Sequence, residues 1–186
     1  MADDRSLVLQ RQRKLKWRAL DWLESLLMML CGATLICFCT SVVCDIVTRT
    51  IGAPWLWLQE VTSTFFIYGI FIGAAVATRR NDHLFLAAVG ESFTGRPRLL
   101  IETAIRLVVI SVGVFLTYYG YINFLRGFSS FRMPSMTPIA SLYAAIPISG
   151  ALITLFAVEQ LVNGWRNGFE GAAEDDELPP EGVPPP

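Results

Sequence analysis

Four stretches of this chain contain no charged residue: 25–44, 61–78, 107–125 and 133–158, which are 20, 18, 19 and 26 residues long. At ~1.5 Å rise per residue even the shortest covers about 27 Å as a helix, close to the ~30 Å hydrocarbon core of a bilayer. A helix of a soluble bundle keeps a charged face opposite its apolar stripe. These stretches have no charge on any side. The pattern therefore predicts an all-α integral membrane protein with four transmembrane helices, at about 22–43, 61–78, 105–125 and 138–158.

The flanks and interruptions refine each span. Asp45 and Arg49 are spaced i, i+4, so the first helix continues past the hydrocarbon edge before the Gly52-Ala53-Pro54 turn. The short loop makes spans one and two antiparallel neighbours. Trp55 and Trp57 mark one interface of span two, and Arg79 and Arg80 close the other. Within it Gly69, Gly73 and Ala77 recur every four residues, a stripe on which membrane helices approach closely. Glu60, nine residues before Gly69, falls on the opposite side. The segment 83–89 is too short to cross and predicts a brief interfacial helix, ended by Gly90 or Gly95. Pro97 suits a first turn, and Arg98, Glu102 and Arg106 form a charge ladder on one face. Helix three thus runs over 97–125, ~44 Å, with Tyr118, Tyr119 and Tyr121 at its far interface. Thr137-Pro138 opens span four, and Pro147 kinks it, with Ser149 and Gly150 relieving the crowding.

Charge adds orientation. Twelve basic residues flank one side of the four spans: six in the leader 1–20, Arg79, Arg80, Arg96, Arg98 and Arg106 between spans two and three, and Arg166 after span four. The other side carries Arg49, Arg126 and Arg132. The positive-inside rule places both termini in the cytoplasm. The basic leader reads as a surface helix attracted to anionic lipid rather than a nucleic-acid arm. No signal-peptide cleavage site follows it. The tail 167–186 holds six acids and five prolines and reads as disordered. Asp21 and Glu24 form an interfacial cluster at the start of span one; the alternative is that Glu24 faces a partner inside the membrane.

Candidate chemistry is sparse. The spans hold no Asp, Glu, Lys, Arg or His away from their ends, whereas proton-coupled transporters usually carry such a residue. No Walker A motif is present. The single histidine, His83, argues against bis-histidine haem. Cys31, Cys37, Cys39 and Cys44 lie in or at the end of span one without a C-x-x-C, and read as small apolar side chains. No catalytic, substrate-binding or metal residue is assigned. The residues describe a small four-span protein with differentiated packing faces, which favours an accessory subunit of a larger complex.

Trp57-Leu58-Gln59-Glu60, then 71–77 (Phe-Ile-Gly-Ala-Ala-Val-Ala) and Arg79-Arg80-Asn81-Asp82-His83, resembles the central signature of the small membrane subunit, DctQ type, of tripartite ATP-independent periplasmic (TRAP) transporters. The stretch 135–150, with Pro138, Leu142, Tyr143, Pro147 and Gly150, is similar to that family's fourth span. The resemblance covers about 20–165. The chain departs from the pattern at Gln59 and Ala87, where the family often has acids. The resemblance implies a small subunit that braces a large membrane subunit, which binds substrate and sodium and moves them by an elevator-type motion. It also implies a periplasmic solute-binding protein that delivers the substrate, often an organic acid. On this reading Gly69, Gly73, Ala77 and Pro147 pack within the bundle or against the large subunit. Glu60 and His83 make polar contacts near the two membrane surfaces, and Arg49, Arg126 and Arg132 meet acids on the binding protein. No cofactor is expected on this chain, and the complex uses a sodium gradient. The competing class is an autonomous membrane protein: a small transporter using Glu24 or Glu60, or a redox protein using the cysteines.

Overall fold

The computed structural model of the chain describes residues 16–80 and 96–167. The expectations placed on the leader before Lys16, the interfacial helix with His83 and Ala87, and the acidic tail lie outside the described residues. The described residues form α1 (Asp21–Thr50), α2 (Leu58–Arg80), α3 (Arg96–Arg126), a one-turn α4 (Ala140–Tyr143) and α5 (Ala145–Asn167). Short 3-10 turns precede α1 at Arg18–Leu20 and follow α3 at Gly127–Ser129. Four spans are long and apolar enough to cross a membrane: α1, α2, α3 with its following turn, and α4 with α5. The protein is all-α and multi-pass.

Local chemistry explains the ends. α1 runs beyond the expected hydrocarbon edge because Arg49 Nε donates to Asp45 Oδ2 at 2.9 Å on its last turns. It stops at Gly52, whose φ of 80° lies in the left-handed region where a side chain would clash. α3 begins beside Pro97 and carries the Glu102–Arg106 ion pair one turn apart, with both residues buried. The fourth span breaks at Ala144, between α4 and α5. Pro147 has no N–H for the Tyr143 carbonyl, and its ring crowds that carbonyl, so the ladder opens one turn before the proline. The next bond, from Ile148 N to Ala144 O, is stretched to 3.5 Å.

The spans form an open row rather than a closed bundle. α1 packs on α2, α2 on α5, and α5 on α3, while α1 and α3 make no substantial contact. Span four is accordingly the central element. One third of its apolar window is buried within the chain, against 11% for spans one and three. Leu27, Ala75, Val76, Ile153 and Phe156 form the apolar core where α1, α2 and α5 meet.

The tightest crossing in the row joins α3 and α5. A Cβ added to Gly150 would lie 2.6 Å from the Thr117 backbone nitrogen and 2.8 Å from the Gly113 carbonyl oxygen. One added to Gly120 would meet Pro147 N at 2.9 Å. Glycine at these positions lets two backbones touch, the usual way membrane helices gain packing without a hydrophobic driving force.

Candidate functional site

Each of three spans delivers a charged side chain to one depth at the same end of the row. α1 brings Asp21 and Glu24 in its first turn, α2 brings Arg79 and Arg80 in its last, and α5 brings Glu159. Arg79, Glu24 and Glu159 are each 0% exposed. A lone buried charge would cost several kcal/mol, roughly, so the group must be neutralised and hydrogen-bonded in place.

Arg79 organises the cluster. Its Nη1 donates to Glu24 Oε2 and to the Leu20 carbonyl, both at 2.7 Å. Its Nη2 donates to Asp21 Oδ1 at 3.0 Å and to the Trp17 carbonyl at 3.1 Å. Nε and Nη2 grip the two oxygens of Glu159, each at 3.2 Å, in a fork that only a guanidinium supplies. The guanidinium carbon lies 5.5 Å from the Phe156 ring centroid, a cation–π contact that covers one face. Arg80 Nε donates to the other Glu24 oxygen at 3.3 Å, and Lys16 Nζ lies 3.6 Å from Glu24. Burial pushes the Lys16 ammonium below the ordinary lysine range, and Glu24 opposes that shift. Three cations thus meet three carboxylates.

Residues 16–20 close over this cluster as a strap. Trp17 N donates to Glu159 at 2.6 Å and its indole Nε1 to Asn163 Oδ1 at 2.7 Å. Gln160 Nε2 donates to the carbonyls of Thr78 and Arg79, two acceptors that the end of α2 leaves unsatisfied. Trp17, four residues before α1, is therefore tied to α2 and α5 at once.

A second polar cluster lies at the opposite end. Glu60 accepts from Ser135 N at 3.3 Å and from the Ser135 hydroxyl. Arg132 donates to Thr64 Oγ1 at 2.9 Å and to the Glu60 carbonyl at 2.8 Å, with Nε 3.9 Å from the Glu60 carboxylate. Nineteen residues of helix separate Glu60 from Arg79, about 28 Å, so the two clusters stand at the two edges of a ~30 Å hydrocarbon layer.

The sequence-predicted residues divide between these places. Gly69 and Gly73 face α1, where added Cβ atoms would meet Thr34 Oγ1 at 3.3 Å and Cys31 Sγ at 3.6 Å. Ala77 is half-buried on the same helix. Pro147 lies in the α3–α5 crossing. Of the three basic residues at the Glu60 end, Arg132 is engaged inside the chain, Arg49 pairs with Asp45, and Arg126 is exposed. Glu24 turns into its own chain rather than outward. Sequence reasoning missed Glu159, because it ended span four at Val158 and treated what followed as flank. The available signal was depth: Glu24, Arg79 and Glu159 all end their charge-free runs on the same predicted side.

The fold and its two clusters define a four-span α-helical membrane protein whose buried charges hold its own spans together. The family described as tripartite ATP-independent periplasmic transporters, DctQ component, matches residues 38–167, and the chain belongs to that family. It is 24% identical over 121 residues to the sialic acid TRAP transporter permease protein SiaT of Haemophilus influenzae, covering 62% of this chain and 19% of that protein. It is 22% identical over 126 residues to the sialic acid TRAP transporter small permease protein SiaQ of Vibrio cholerae, covering 63% of this chain and 72% of that protein. The chain therefore corresponds to about a fifth of the length of SiaT.

Proposed function

We propose that this chain is the non-catalytic small membrane subunit of a TRAP-type secondary transporter. It braces a large substrate-translocating subunit in the bacterial inner membrane, with the Arg79 end and both termini on the cytoplasmic side. Uptake of a small organic acid by the complex is driven by an ion gradient, with sodium as the coupling ion, and a periplasmic solute-binding protein delivers the solute. The sialic acid in the names of both relatives is itself an acid, in keeping with that substrate class.

One observation carries the reading beyond family membership: the use to which Arg79 is put. A transport site needs a charged group whose partner can leave. The five guanidinium N–H groups of Arg79 are instead directed to three carboxylates and two main-chain carbonyls of the same chain. That suits a static brace. The open row supports it too, because a slab of helices leaves broad apolar faces for a larger neighbour, where a closed bundle leaves fewer. Gly69, Gly73 and Ala77 stay candidates for packing, and Glu60 and Pro147 for positioning the elements that meet the large subunit. Arg49 and Arg126, on the proposed periplasmic side, are the basic groups best placed to meet acids on the binding protein.

The test is co-purification of the tagged chain from native membranes in mild detergent, followed by mass spectrometry. A stoichiometric large polytopic partner is expected. Recovery of the chain alone or only with itself overturns the proposal. Reconstitution of the pair with the binding protein then reads the driving force: uptake is expected to stop when the sodium gradient is collapsed.

A further inference from the structure

The segment between α3 and the fourth span has an unusual surface for a loop that leaves a membrane. Phe128 is 54% exposed, Phe131 57%, Met133 76% and Met136 60%. In water such a group would hold several large apolar side chains against solvent, at about 25 cal/mol per Å² of apolar area. From Phe128 to Thr137 the only charged residue is Arg132, and it turns inward to Glu60 and Thr64.

Much of the backbone of the segment is also paired within the chain. Ser130 N donates to Gly127 O, Arg132 N to Thr137 O, Met136 N to Arg132 O and Ile139 N to Ser130 O. Ser135 N is taken by Glu60 and Thr137 N by the Ser135 hydroxyl. Pro134 and Pro138 have no N–H to satisfy. Irregular backbone enters a low-dielectric layer only when its polar groups are paired in this way. Depth agrees. Arg126 lies twenty residues beyond the buried Arg106 on α3, about 30 Å, which brings the loop to the level of the headgroup–acyl boundary. Trp55, Trp57 and the α3 tyrosines Tyr118, Tyr119 and Tyr121 are exposed at this end as well. The loop adjoins the lipid-facing surface of the spans, with the exposed Arg126 at their junction.

We infer that the 128–136 loop is a membrane-interface wedge, seated in the lipid leaflet at the Glu60 end of the domain, with Phe128, Phe131, Met133 and Met136 in contact with acyl chains. The Glu60–Arg132–Ser135 cluster fixes it at that depth. The inference rests on the multi-pass architecture and not on the transport reading, so either can fail without the other.

The experiment uses the full chain, together with any subunit that co-purifies, in phosphatidylethanolamine–phosphatidylglycerol vesicles. The four native cysteines are replaced by alanine, and spin labels are attached at Met133→Cys and Met136→Cys, with Val112→Cys as a mid-span reference. Collision with oxygen and with a water-soluble nickel chelate is then measured by power saturation. Seating in lipid predicts ready collision with oxygen and collision with the chelate about tenfold below that of free label, a ~1.4 kcal/mol exclusion. Chelate access near that of free label overturns the inference, because the loop is then in water. Loss of access to both reagents also overturns it, because the loop is then covered by protein. A label at Phe128→Cys supplies the same readout if one at Met133 prevents recovery of the chain.

Discussion

Arg79 is where one side chain decides whether the domain holds. Replacing it with methionine leaves Glu24 and Glu159 buried without their main partner, a loss of about 3–5 kcal/mol for a broken buried pair. We expect Arg79→Met to abolish recovery of folded chain from detergent. Arg79→Lys is expected to lower the unfolding midpoint in a denaturing-detergent titration nearly as far. An ammonium keeps the charge, but its three donors cannot serve three carboxylates and two carbonyls in one plane. Glu159→Gln retains an acceptor for Trp17 and should cost less, about 1.5–3 kcal/mol, read in the same titration. If Arg79→Lys behaves as the unaltered chain, the fork to Glu159 has no energetic weight. Little of this was legible in the sequence. Arg79 announced itself as an interface residue and Glu24 as a flank. Their partners lie 55 and 80 positions apart along the chain, a distance over which helical periodicity carries no information.

At the scale of elements, charge-free runs are a strong signal because a bilayer penalises any charge at mid-depth. The four spans were therefore visible from the residues alone, and α3 matches its expected length to within a residue at each end. Helix contacts were less visible. The Gly69–Gly73–Ala77 spacing drew attention to span two, yet added Cβ atoms there meet side chains at ordinary or slightly tight distances. The closest approach between two long helices is at Gly113, Gly120 and Gly150, which are spread over α3 and α5 and show no local motif. Gly150→Ala should therefore destabilise by about 1–3 kcal/mol through forced separation of α3 and α5. Gly73→Ala should change the thermal midpoint in detergent far less, and Gly32→Ala, where nothing lies within 4 Å, least of all. A larger loss at Gly73 than at Gly150 would invert the assignment of the tight crossing. The break at Ala144 was foreshadowed by Pro147, because a ring without N–H disturbs a known carbonyl four positions back.

For the whole molecule, the open row sets the surface offered to a neighbour and the clusters set its two edges. Thiol-labelling topology provides the check on direction. A cysteine introduced at exposed Arg126 should react with a membrane-impermeant reagent in intact cells, whereas one in the strap should react only after the membrane is permeabilised. The order of spans in the row could not be read from the sequence, because a lipid-facing and a helix-facing apolar side chain look alike in composition.

The same row also constrains the history of each molecule as it is made. Asp21, Glu24, Lys16, Arg79 and Arg80 are all synthesised before any residue of span four, and at that stage three cations face two carboxylates. Glu159 supplies the missing negative charge and both oxygens of the fork only when the last span leaves the ribosome. The first hairpin must wait in the membrane with its arginine incompletely matched, so its commitment is late and tied to the chain's final third. A nonsense truncation after Ser130 should yield a product that is cleared by membrane proteases instead of accumulating, and pulse–chase labelling would show it. Co-expression of 131–186 as a separate piece should restore its lifetime. Quality control of this small protein is thereby written into the placement of a single glutamate near its far end.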